Sequence, residues 1–352
     1  MDVGPQNVLG SRPSLLDPMV AELIARIEPV IALEDVEIEG RLGILTSVSA
    51  SEKKPTRIAL PVTTETRIDQ SIVGPSGKGF RYEFVPDLGR DTFEKIQERL
   101  ELLLSGRLTA PPPNPLFKII AAKKTHTVDE IYKKPTACRV SYDWAQYGQA
   151  DAQPLEIITK ESLDKMDVFS GHFVDIDEEN IAEEEGKERH PLDYRFSFNR
   201  EKKLDSSVLA SLNRGDCSMI REKKRVSYEM KAWTVDLTHV VVLNSKEGEK
   251  FELEVELKRE LLHEQLQRRA QNKSHGAYQI LTDFMFFLRD LAYVFGPGVG
   301  AVKTAGGSRY PEMVSCEPSE DRKRKYRAVV GTDVMPIIGD YVFNILDEVR
   351  PL

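Results

Sequence analysis

Between Val36 and Lys258 the chain runs mostly in short segments that alternate apolar with polar residues, separated by clusters of Gly, Pro, Asn and Ser. A period of two with such punctuation predicts antiparallel β-strands. Helical spacing precedes it at Leu15 to Ile31 and interrupts it at Asp91 to Leu104, and Pro111 to Pro115 ends that interruption. Beyond Lys258 the period changes. Arg259 to Gln271 is charged and helix-prone, whereas Ala277 to Phe295 (AYQILTDFMFFLRDLAYVF) is apolar nearly all round, which predicts a buried helix. The pattern divides the chain into an arm with a short helix (1–30), a β-rich body with supporting helices (31–295) and a Gly-rich, basic linker and tail (296–352).

The polar partners of the alternation are segregated by strand. VEIEGRLG sends Glu37, Glu39 and Arg41 to one face, and FELEVELK sends Glu252, Glu254, Glu256 and Lys258. DYRFSFNRE lines up Arg195, Ser197, Asn199 and Glu201, while REKKRVSYE lines up Arg221, Lys223, Arg225 and Ser227. Glutamates two apart on a strand lie about 7 Å from one another, and like charges facing across strands destabilise a sheet. A solvated sheet would intersperse its signs. Strands acidic at one place and basic at another predict a mainly β (α+β) fold: a closed antiparallel barrel of about eight strands, charged inside and apolar outside. Peripheral helices, the apolar one above all, would cover the outer face.

Composition narrows the chemistry. The 352 residues carry 49 Lys and Arg against 57 Asp and Glu, net −8, so a polyanion must meet locally concentrated cations. Three distant cysteines suit free thiols in a reducing compartment. No apolar run reaches the roughly 20 residues of a membrane helix, and Met1 to Gly10 does not read as a secretory signal. Glutamates converging in a low-dielectric tunnel raise one another's pKa unless a cation compensates them. Hard oxygen donors favour Mg²⁺ or Mn²⁺ over zinc. Arg and Lys on facing walls would then match a highly anionic ligand such as a polyphosphate.

At these residues the chain resembles the metal-dependent RNA 5′-triphosphatases of fungal and protozoan mRNA capping, members of the triphosphate tunnel metalloenzymes. VEIEGRLG, DYRFSFNRE, the R-x-K-x-R-x-S-Y element of Arg221 to Tyr228 and FELEVELK carry the likeness. TRIALPVTTET (Thr56 to Thr66), CRVSYD (Cys138 to Asp143), EIITK (Glu156 to Lys160) and VDLTHV (Val235 to Val240) follow in the expected order, so the resemblance spans about residues 30 to 295.

The resemblance implies metal ligands at Glu37, Glu39 and Glu256, with Glu252 and Glu254 as supporting carboxylates. It implies phosphate contacts from Arg139, Lys160, Arg195, Arg221, Lys223 and Arg225. Glu201 would position the attacking water, and Asp236 would hold a basic neighbour. The implied reaction is in-line removal of the γ-phosphate from 5′-triphosphate RNA with Mg²⁺ or Mn²⁺, the first step of capping, in the nucleus. A homodimer and an mRNA guanylyltransferase are the implied partners, and with no K-x-D-G element in the chain GMP transfer would fall to another polypeptide. A tripolyphosphatase or nucleoside triphosphatase would need nearly the same tunnel. A non-catalytic polyphosphate or RNA-end binder has no use for five glutamates.

Other motifs carry less. GVGAVKT (Gly298 to Thr304) has Val302 where a P-loop needs Gly, and Cys316 with Arg322 encloses carboxylates where a thiol phosphatase needs backbone amides. The six histidines show no metal-ligand spacing. Asp175 to Arg189, with eight acidic and two basic residues, reads as a solvated loop. DRKRKYR (Asp321 to Arg327) reads as a solvated loop, with a nuclear import signal or an RNA-touching arm as the alternatives. Trp144-Ala145-Gln146, inside the body, receives no partner role.

Overall fold

The computed structural model describes residues 17–47, 65–68, 82–107, 116–170, 192–245 and 248–294. In chain order the elements are α1 (Pro18–Ile27), β1 (Val36–Ser47), β2 (Thr66–Ile68), β3 (Tyr82–Val85), α2 (Arg90–Leu104), β4 (Ala121–Tyr132) and β5 (Cys138–Asp143). They continue with β6 (Glu156–Phe169), β7 (Asp193–Lys203), β8 (Cys217–Glu229), β9 (Trp233–Val242), β10 (Glu249–Leu257), α3 (Arg259–Ala270) and α4 (Ala277–Val294). The acidic stretch, the Gly-rich linker, DRKRKYR and nearly all of TRIALPVTTET lie outside the described residues.

Eight strands close on themselves in the order β1, β7, β6, β5, β4, β8, β9, β10, with every neighbour antiparallel. The closing seam pairs Glu39 with Glu256, Gly40 with Val255 and Arg41 with Glu254. β3 adds to the far half of β1, and β2 to the end of β6. The strand alternation then sorts side chains into two populations. Val36, Ile38 and Leu42 of β1, Tyr194, Phe196 and Phe198 of β7, and Leu253, Val255 and Leu257 of β10 all join one apolar core outside the barrel wall. Their neighbours in sequence, which carry the charges, face the lumen.

Helices seal that outer core. α1 is capped by Asp17, whose carboxylate accepts from the Met19 N–H at 2.8 Å, with Pro18 at its first position. Val20, Leu23, Ile24 and Ile27 form its buried stripe. α4 lays Phe284 against Phe196 and Trp233, each at a centroid separation of 6.0 Å. Phe93 of α2 meets Phe251 of β10 at 5.2 Å. Arg289 of α4 fastens α1 and the segment before β2 by pairing with Asp17 and, at 2.5 Å, with Glu65. None of the helices among the described residues is long and apolar enough to cross a membrane.

Two glycines of β1 mark close approaches. A Cβ on Gly40 would meet Leu288 Cδ1 at 2.5 Å, the movable end of a side chain on α4. A Cβ on Gly43 would meet the Val85 carbonyl oxygen at 2.3 Å, which is backbone and cannot step aside. Overpacking of this kind costs about 1–3 kcal/mol. We expect Gly43→Ala to lose stability in that range and Gly40→Ala to lose less, read from the midpoints of urea unfolding curves.

Candidate active site

The lumen is built by register. On the first and last strands of the seam, Glu37, Glu39 and Arg41 stand beside Glu252, Glu254 and Glu256. Across β7, Glu37 is opposite Asn199 and Glu39 opposite Ser197, while β6 sets Lys160 opposite Glu201. On the far wall Arg221, Lys223 and Arg225 of β8 face Asp129, Thr127 and Thr125 of β4. Glu254 is opposite Asp236, and Ser227 is opposite the same aspartate. Two stripes of opposite sign thus face one enclosed space.

Ion pairs thread through it. Lys160 Nζ lies 2.5 Å from Glu37, 3.7 Å from Glu39 and 3.0 Å from Glu201. The last contact is not aligned as a hydrogen bond, because Glu201 Oε1 has no donor pointed at it. Arg41 Nη2 bridges Glu39 at 3.0 Å and Glu254 at 2.7 Å. Arg225 reaches Asp236 at 2.6 Å, Thr238 at 3.0 Å and Glu254 at 3.3 Å. Asp129 holds Lys223 at 3.1 Å and Arg221 at 3.3 Å, and accepts from Ser141 at 2.8 Å. Arg139 touches Glu156 at 3.2 Å and Glu201 at 3.7 Å.

Charge balance sets the protonation of each group. Glu39 is raised well above the usual carboxylate range by burial, then by Glu254, against the pull of Arg41. Glu256 is exposed, near the end of β10, with Glu39 and Thr234 as its register partners. Burial and the charges of Glu37, Asp236 and Glu39 push it up to about 7. Burial and Glu254 also raise Glu252. Glu254 goes the other way: burial would raise it, but Arg41, Arg225 and Lys223 outweigh that and hold it low. Lys223 is lowered by burial and by its cationic neighbours, although Asp129 opposes them. For Lys160, burial is overcome by Glu39, Glu37 and Glu201, and its pKa rises.

Among the described residues no three carboxylate, imidazole or thiol groups close around one point tightly enough to grip a metal ion. Lys160 and Arg41 lie between the acids instead. The donor set nevertheless suits a hard divalent cation. It is all oxygen, Glu39 and Glu256 are register partners, and burial together with repulsion from neighbouring carboxylates raises both of them. The opposite wall suits an anion, since Arg139 Nε and Arg221 Nε are buried N–H groups without a hydrogen-bond partner.

Of the residues singled out by sequence, Glu37, Glu39, Glu252, Glu254, Glu256, Glu201, Asp236, Arg139, Lys160, Arg221, Lys223 and Arg225 are placed in this one lumen. Arg195 is committed elsewhere. Its guanidinium makes a two-point pair with the buried Asp167, at 2.5 and 2.9 Å, and lies 4.7 Å over the Phe84 ring of β3. That pairing spends its charge on the fold, so it does not join the phosphate-facing cations. Three residues of the lumen received no role from the sequence. Alternation put Arg41 on the face of Glu37 and Glu39 without showing that it bridges Glu39 and Glu254. It likewise aligned Asn199 with Glu201 without showing that Asn199 donates to Glu39 at 3.0 Å. Asp129 sits in AAKKTHTVDEIY, where nothing marks which face is inward until the pairing with β8 is known.

The fold is a closed antiparallel β-tunnel with one acidic and one cationic wall. The sequence model of the family described as "mRNA capping enzyme, beta chain" matches residues 188–291, the stretch that holds β7 to β10 and most of α4. Over that stretch the chain is similar to this family. Among solved structures, the RNA triphosphatase Pct1 of S. pombe is similar at 20% identity and a TM-score of 0.58, over 83% of this chain and 98% of that one. Pct1 in complex with the Spt5 CTD gives 21% identity and 0.58, over 79% and 94%. These likenesses show the fold. The Mimivirus capping enzyme triphosphatase aligns at 12% identity and 0.35, over 77% of this chain and 95% of that one. No curated protein sequence matches the chain.

Asp129 provides a test of the site's electrostatics. Removing one partner of a buried pair costs about 3–5 kcal/mol, because the other charge is left uncompensated. Asp129→Ala should lose about that much in chemical denaturation, and added tripolyphosphate should restore part of it by pairing with Lys223 and Arg221.

Proposed function

We propose that the lumen hydrolyses the γ-phosphate of 5′-triphosphate RNA to leave a 5′-diphosphate end, with the work divided between its two walls. The observation that carries this reading is the facing arrangement of glutamates on β1 and β10 against cations on β5, β6 and β8, with unpaired buried N–H donors on Arg139 and Arg221.

Glu37, Glu39 and Glu256 are the residues that would hold Mg²⁺ or Mn²⁺, and Glu252 and Glu254 would support them. When bound, that ion supplies Lewis acidity toward the terminal phosphate and neutralises part of its charge. Arg139, Lys160, Arg221, Lys223 and Arg225 bind the remaining phosphate oxygens and stabilise the charge that spreads over them as the bond to the leaving oxygen breaks. Asp236 orients Arg225 through the 2.6 Å contact. Glu201 lies across from Lys160 and accepts the proton of the water that attacks phosphorus opposite the leaving diphosphate. The water oxygen joins the γ-phosphorus, the β–γ bridge breaks, and phosphate departs without a covalent intermediate.

A tripolyphosphate or nucleoside triphosphate would need nearly the same arrangement of charges, so these are the alternative substrates. The capping role further assigns this chain to the nucleus, as a homodimer that works beside an mRNA guanylyltransferase.

Two measurements test the reading. Phosphate release from triphosphate-ended RNA, ATP and tripolyphosphate, each with Mg²⁺ and Mn²⁺, should show turnover of the RNA, falling about 10²–10³-fold in Glu201→Ala or Arg225→Ala. Glu256→Gln removes like charge from a crowded wall. It should melt at a higher temperature than the parent in chelator, yet gain nothing from added divalent ion, while the parent gains stability with ion concentration. Equal ion-dependent gains in both proteins would count against Glu256 as a ligand.

A further inference from the structure

Trp144, the first residue after β5, is 40% exposed and held rigidly. Its ring lies flat on His126 of β4, with centroids 4.7 Å apart and planes 12° from parallel. His126 is in turn fixed by Glu222, 2.8 Å from its Nε2. The Trp144 N–H donates to the His126 carbonyl at 3.0 Å, and the Ala145 N–H donates to Asp143 Oδ1 at 2.9 Å, so the turn is braced on both sides. One indole face is thus seated on an imidazole and the other is open.

The surroundings are cationic. Lys224 stands across from His126 in the β4–β8 register, and the exposed Lys124, two residues before His126 on β4, shares that outer face. Glu222 is already paired with His126 and, at 3.2 Å, with Lys224. Trp144 and His126 lie on the outer side of the wall, where β5 ends; the adjoining Asp143 is opposite Thr127, and Thr127 is opposite the lumen's Lys223, two strand spacings or about 10 Å along the wall. A preorganised aromatic face among lysines at the end of a strand suits a nucleobase on a backbone of phosphates, because stacking is tolerant of sequence and lysines follow the chain.

We propose that Trp144 is a stacking platform for a base near the 5′ end of the RNA whose triphosphate lies in the lumen, reached where the RNA leaves over the rim at the end of β5, with Lys124 and Lys224 steering its backbone. This deepens the RNA reading of the site and would give the tunnel a means of preferring RNA to a bare polyphosphate.

Fluorescence offers a direct probe, since the chain has two tryptophans and the other, Trp233, is fully buried. A short 5′-hydroxyl oligoribonucleotide should quench the emission of the parent protein in a salt-dependent way and leave Trp144→Phe unquenched. Steady-state kinetics complete the test. Trp144→Ala should raise KM for triphosphate-ended RNA about tenfold and leave kcat and KM for tripolyphosphate unchanged, which also reports that the variant folds. Trp144→Phe should recover most of the RNA affinity. Equal losses on RNA and tripolyphosphate, or quenching that survives in Trp144→Phe, would overturn the proposal. So would Trp144-dependent quenching by an acidic peptide and none by RNA. Quenching by the 5′-hydroxyl RNA does not depend on turnover, so failure of the hydrolysis reading is seen separately.

Discussion

Compensation of charge inside a closed barrel is the constraint on which the rest of the structure depends. The β1–β10 seam forces acids together, with Glu39 opposite Glu256 and Arg41 opposite Glu254. Unpaired carboxylates so placed would oppose closure, and the wall tolerates them because cations are threaded between: Lys160 beside Glu37 and Glu201, Arg41 between Glu39 and Glu254, Arg225 between Glu254 and Asp236. The compensation is incomplete, as the elevated Glu39, Glu252 and Glu256 show. Those are the groups a divalent cation would relieve. The opposite wall has the converse shortage, with buried guanidinium N–H groups on Arg139 and Arg221 lacking acceptors.

An inside-out barrel moves its hydrophobic core to the exterior, and this explains the helices. Phe196, Leu253, Val255 and Trp233 cannot face water, so α2 and α4 cover them. α4 is apolar nearly all round because it packs on strands while α1 and α3 flank it. Gly40 belongs to the same arrangement, since α4 approaches β1 closely enough to place Leu288 over a missing side chain. The lumen is therefore set by strands supported from behind, which suits a site that must keep opposed charges at fixed separations.

Much of this was legible in the sequence because a period of two is enforced wherever one face meets an apolar core and the other a charged lumen. VEIEGRLG and FELEVELK gave away the acidic wall, R-x-K-x-R the cationic one, and the four helices appeared where the period changed. What stayed hidden depends on pairing across strands. Asp129 could not be separated from its neighbour Glu130, which faces outward and accepts from Tyr132 and Tyr147. Arg195 shares the lumen's alternation, yet Asp167 and Phe84 claim it, and both lie far away in sequence. Trp144 drew no role for the same reason, because its support by His126 is a contact between strands.

The central claim is that the acidic wall gathers a divalent ion opposite the cationic wall, with a triphosphate between. Anomalous diffraction from crystals soaked with Mn²⁺ and a non-hydrolysable triphosphate analogue tests it most directly. The account predicts a manganese peak bounded by Glu37, Glu39 and Glu256, with the analogue's terminal phosphate reaching Lys223 and Arg225. Manganese bound away from these glutamates, or a triphosphate lodged outside the lumen, would contradict it.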